Sequence, residues 1–156
     1  MFLRTEVLAE KKLVGKSLSV SFANNRTTEL WRGFMSRRGE IKNSIGQDLY
    51  SLEVYAPHFF DSFDPTREFD KWAAVEVADL SNVPDGLQTM VIRESLYAVF
   101  LHKGLATDAS TYQYIFMEWL PKSGYAVDDR PHFAVMGQKY KGDSADSEEE
   151  IWIPIV

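Results

Sequence analysis

The chain has 156 residues, three histidines and no cysteine, and its 23 acidic side chains outnumber 17 basic ones, for a formal net charge of −6. That length fits one domain. The missing thiols exclude disulfides and thiolate metal sites, and the acidic balance weighs against direct DNA binding, which draws on phosphate neutralisation by Lys and Arg. No apolar run is long enough to span a bilayer, and the first twelve residues, MFLRTEVLAEKK, hold no apolar signal segment. The expectation is a cytoplasmic protein with no membrane partner.

In chain order, residues 12–22 (KLVGKSLSVSF) read as a strand with Gly15 at a bulge or turn. Asn24 to Thr28 offer N-caps for a helix over 27–38, whose apolar face is Leu30, Trp31, Phe34 and Met35. Strands follow near 48–55 and at 72–78. The loop between them carries Phe59, Phe60, Phe63 and Phe69, and such a loop should fold down onto the body. After a VPDG turn at 83–86 come LQTMVIRE, a weaker strand, and LYAVFLH at 96–102. Thr107 or Asp108 caps a second helix, with Tyr112, Ile115, Phe116, Trp119 and Leu120 at helical spacing, ended by Pro121 and Gly124. Residues 131–137 and 150–155 close the chain as strands. Pro154 cannot donate to a ladder, so it needs an edge strand or an unpaired side.

The two halves, about 1–82 and 83–156, repeat this pattern without repeating the letters. Each runs strand, capped helix, strand, Trp-bearing strand: Trp31 and Trp119 sit on the helices, Trp72 and Trp152 on the final strands. The expectation is a single α+β domain of two pseudo-twofold βαββ units, with antiparallel sheets and two main helices around a central groove. Both terminal strands have an aliphatic face and a face combining Trp with Glu (Trp72 and Glu76; Trp152 and Glu150), and the second faces are expected to look into the groove.

No metal-ligand spacing connects His58, His102 and His132, and no serine-hydrolase or phosphate-loop motif occurs, so neither metal nor cofactor is expected. The positive signal is aromatic. Taken singly, each ring is better read as core. Taken as a set recurring in two halves, the rings suggest walls for a flat ligand. Glu76, inside an apolar strand, reads equally as a surface carboxylate and as a pocket anion or general base.

The stretches ELWRGFMSRRGEI, KWAAVEV, VPDGL, YAVFLHKG, EWLPKSGYAVDDRPHF and SEEEIWIPI closely resemble the GyrI-like small-molecule-binding family, the effector-binding domain of AraC-type regulators. The resemblance spans nearly the whole chain. It implies the α+β fold above and a ligand, hydrophobic or cationic, held between aromatic side chains. Relatives often carry a fused helix-turn-helix, so the chain looks like a stand-alone member that acts on transcription only through a partner. The family pattern also places a glutamate two residues after the His of RPHF, where this chain has Ala134, which puts both cation recognition and a Glu-dependent hydrolase activity in doubt. The ligand-binding set expected on these grounds is Trp31, Tyr50, Trp72, Glu76, Tyr97, Phe100, Trp119, His132, Phe133, Met136 and Trp152, with the Phe59–Phe69 loop as a lid. Two alternatives stand beside binding. One is a hydrolase of reactive cyclopropane-type electrophiles, with Glu76 as base. The other is a gyrase- or regulator-interacting protein. Monomer and homodimer are both left open.

Overall fold

The computed structural model describes residues 1–156. Eight strands, β1 (Phe2–Leu8), β2 (Lys11–Val20), β3 (Leu49–Val54), β4 (Phe69–Glu76), β5 (Gln88–Ile92), β6 (Ser95–Lys103), β7 (His132–Met136) and β8 (Glu148–Pro154), form one antiparallel sheet in the order β1-β6-β8-β7-β3-β4-β2-β5. The two sheets expected from the halves are one, joined where β3 pairs with β7. From that joint the order is the same in both directions: third strand, fourth, second, then the first strand of the opposite half. The outermost strands are thus exchanged, β1 lying on β6 and β5 on β2. β1 escapes a reading by alternation because its Leu3 and Val7 are exposed.

Helix α1 (Thr27–Met35) is three residues shorter than its sequence pattern. The Arg37 guanidinium is held by Glu40 and by the Asp85 carbonyl, and the chain turns through a short 3-10 segment, Arg38–Glu40. Helix α2 runs from Ser110–Tyr114 through a π turn, Ile115–Trp119, into Leu120–Ser123, and Gly124 ends it in the left-handed conformation. The Asp108 carboxylate accepts the Ser110 N–H at its start.

Both helices lie on one face of the sheet. Leu30 and Phe34 of α1 pack on Val14, Ala73, Val75 and Val77, and burying two such side chains contributes about 2–3 kcal/mol each. Ile115 of α2 packs on Ala98, Phe100, Ile151, Ile153 and Ile155. The opposite face carries Leu13, Tyr50, Leu52, Tyr97, Val99, Phe133 and Trp152. Every member of this second cluster is on a strand, yet Leu13, Leu52, Tyr97 and Val99 are fully buried. A flat sheet leaves such a face in water, so this sheet curls around it. β8 is an interior strand, and Pro154 is accommodated because it lies past Phe133, the last β7 residue to pair with β8.

Candidate functional site

On the helix-bearing face, the gap between α1 and α2 is a cavity of about 390 Å³. Its floor is built by strand alternation: Glu53 and Tyr55 from β3 and its end, Phe69 and Lys71 from β4, His132 from β7, and Ile151 and Ile153 from β8. Val20, Ser21, Phe22, Asn25 and Thr27 close one side from the β2–α1 connection, and Ala106, Tyr112 and Phe116 close the other, with Phe60 reaching in from the Phe-rich loop. The π turn places Phe116, whose ring stacks on Phe60 at 5.9 Å and on His132 at 6.5 Å. Tyr55 meets Phe60 and His132 edge-on at 4.7 and 5.0 Å. The neighbouring Phe59 is buried against Val20 and Phe69, which anchors the loop to the body.

The polar groups are few. Lys71 Nζ donates to Glu53 Oε1 at 2.9 Å, with both side chains mostly buried. Burial holds the His132 imidazole down to about 4, so it is neutral at physiological pH, and its ring nitrogens have no protein partner. Burial pushes the Glu149 carboxyl up, Glu53 adding to the shift and His102 and Lys71 opposing it. Burial, then Glu53, raises the Tyr55 hydroxyl well above its usual range. His102 is satisfied structurally, bonded to Thr111 Oγ1 at 2.7 Å and to the Leu105 carbonyl at 2.8 Å.

Of the eleven residues singled out from sequence, His132 and Phe133 reach the cavity wall. Tyr50, Trp72, Tyr97, Phe133 and Trp152 do come together, but on the opposite, curled face, where Phe133 stacks on Trp152 at 5.4 Å and Tyr97 meets Phe133 at 5.3 Å. The reason is packing. Two flat-lying helices need a smooth aliphatic bed, and Ala73/Val75/Val77 and Ile151/Ile153/Ile155 supply it. The large rings fill the concave side, where no helix covers the sheet. Glu76 goes with them and bonds Lys11 at 3.1 Å, so it is not the cavity's polar anchor. Glu150 accepts from the Trp152 indole at 3.2 Å. Trp31 packs on Phe34 at 6.1 Å, and Trp119 lies between Phe2 and Tyr125. Phe100 is fully buried under α2, and Met136 is half-buried at the end of β7 opposite Leu49. Ala134 shares the helix-bearing face with His132 and pairs between Ser51 and Ile151. Sequence reasoning missed Glu53, Lys71, Tyr55, Tyr112 and Phe116. The Tyr112/Phe116 step of four residues and a Glu facing a Lys across paired strands were the available signals.

The family model of the GyrI-like small molecule binding domain matches residues 1–156. The chain belongs to this family. Among curated proteins, the GyrI-like domain is similar to the transcriptional regulator BrlR of Pseudomonas aeruginosa, 28% identical over 145 residues, which cover 92% of this chain and 51% of the regulator. The chain thus spans about half the length of that relative. Among solved structures, the EcmrR C-terminal domain superposes with a TM-score of 0.74 at 15% identity, covering 100% of this chain and 98% of that one. SAV2435 bound to tetraphenylphosphonium gives 0.71 at 17%, covering 100% and 94%. A hydrolase encoded by lin2189 of Listeria innocua gives 0.63 at 8%, covering 98% and 91%. At these identities the structural matches establish a shared fold. No helix is long and apolar enough to cross a membrane.

Proposed function

We propose that this GyrI-like domain binds a small, flat, largely apolar aromatic molecule in the cavity between α1 and α2, and that sensing or sequestering this molecule is its activity. One observation carries the reading: 11 of the 17 lining residues are hydrophobic, and they include a cluster of Tyr55, Phe60 and Phe116 around the neutral His132. A few convergent polar groups in an apolar hollow of this size fit a small-molecule site. The Glu53–Lys71 pair sits at one end as a fixed dipole that orients a polar substituent. Phe60, half exposed on its loop, is the movable part of the roof. The relation to regulator effector domains makes a change in transcription the expected consequence of ligand binding. The hydrolase reading has no matching geometry, because its base, Glu76, lies on the face away from the cavity.

None of the four tryptophans lines the cavity, so the ligand must supply the signal. Dansylamide is a neutral, flat, environment-sensitive probe. Its emission should rise and shift to the blue with the wild type and not with Ala106→Trp, which fills the cavity mouth from an exposed position. Equal emission with both proteins would sink the reading. Tetraphenylphosphonium, which a structural neighbour holds, tests charge: it should compete weakly in the wild type and about tenfold better in Ala134→Glu, since a carboxylate beside a bound cation is worth about 1–2 kcal/mol when partly desolvated.

A further inference from the structure

The sheet ends on one side at β1, which pairs with β6 and has no strand on its outer side. An edge strand presents a row of unpaired backbone N–H and C=O groups, a template for another chain, and proteins commonly blunt such edges with charges that repel a second copy. β1 carries charges of another kind. Its regular part, after the bulge at Leu3, holds one cation and one anion, Arg4 and Glu6, and its Leu3 and Val7 are 37% and 61% exposed.

Alternation sorts these side chains. The Arg4 guanidinium lies over the Trp152 ring at 5.6 Å, and Leu8 joins the same concave cluster, so Arg4, Glu6 and Leu8 share that face. Thr5 and Val7 share the helix-bearing face, where Leu96, the partner of Val7 across the ladder, also packs. An antiparallel pairing of β1 with β1 of a second copy, about a twofold axis normal to the sheet, keeps both helix layers on one side. With the axis at Arg4 or at Glu6, like charges meet each other across it. With the axis at Thr5, Arg4 of each chain lies opposite Glu6 of the other, and Leu3 opposite Val7. The four charges then form a square: each guanidinium keeps its own Glu6 at 2.7 Å and gains the carboxylate of the other copy. Thr5 meets Thr5, a favourable cross-strand pair. At the far edge, β5 (QTMVI) has no charged side chain to fix a register.

We propose that the chain self-associates as a homodimer through β1, in the register centred on Thr5, joining the two sheets into one. One short strand pair buries less than a standard interface, so the dimer is weak and reversible. Sedimentation velocity of the intact chain at low ionic strength, from about 5 to about 500 μM, should show a concentration-dependent shift from monomer to dimer. Arg4→Glu and Glu6→Arg, each alone, set like charges opposite one another and should weaken association about tenfold or more. Mixed in equal amounts, the two variants should regain it as a heterodimer, because a chain with two carboxylates at these positions then faces a chain with two guanidiniums. That recovery also requires both variants to be folded. A wild type that stays monomeric over the whole range, association that persists undiminished in either single variant, or a mixture that stays monomeric overturns the pairing.

Discussion

His132 ties the cavity to the acid stability of the fold. Its imidazole is boxed by Tyr55, Phe60 and Phe116, and burial lowers its pKa from 6.5 to about 4. The unfolded chain takes up this proton near pH 6.5, whereas the folded chain resists it down to about pH 4. The unfolded state therefore binds more protons across that window, and folding stability falls as the pH drops through it. A shift of about 2.5 units is worth at most about 3.4 kcal/mol. Integrating the two titrations gives a loss of about 2 kcal/mol between pH 7 and 5, and about 3 kcal/mol by pH 4. Urea unfolding of the wild type and of His132→Phe at these three pH values measures it. The phenyl ring fits the aromatic box and cannot charge, so the variant should keep that increment. Burial also raises Glu149, which contributes an opposing pH dependence, but it is present in both proteins and cancels in the difference. If both proteins lose stability in parallel from pH 7 to 4, the imidazole is not desolvated, and the dry aromatic wall inferred around it does not exist.

Three further outcomes follow from the packing. Lys71→Met strands the mostly buried Glu53 carboxylate and should cost about 1–3 kcal/mol in urea melts, whereas Lys71→Met with Glu53→Leu should recover most of that loss. Gly15→Ala puts a Cβ 2.0 Å from the Ala73 carbonyl oxygen and 2.7 Å from the Ala74 Cβ, so it should destabilise by about 3 kcal/mol or more, or prevent folding, as read by circular dichroism. Phe116→Ala removes the ring stacked on Phe60 and His132 and should weaken dansylamide binding about tenfold or more in a fluorescence titration, at the scale of one aromatic contact plus lost burial.

How far the sequence reaches depends on what each residue answers to. The two helices and the central strands were legible because their apolar periodicities are local: Leu30 and Phe34, or Ile151, Ile153 and Ile155, declare a face without reference to anything distant. Even the grouping of Trp72 with Trp152, Tyr50 and Tyr97 follows from alternation, and the structure places them in one cluster. What alternation cannot say is which face the helices cover. That is settled by the shape of the whole sheet: small β-branched chains bed a helix, and bulky rings fill a concavity that exists only once the sheet curls. The richer aromatic face, expected to line the groove, packs on itself, and the cavity between the helices lies on the other side of the strands. The better cue was the anomaly on the other face, where Glu53, Lys71 and His132 interrupt an aliphatic bed. A floor for helices alone has no use for an ion pair and an unpartnered imidazole, so their presence marks where the bed is left uncovered, between the two helices.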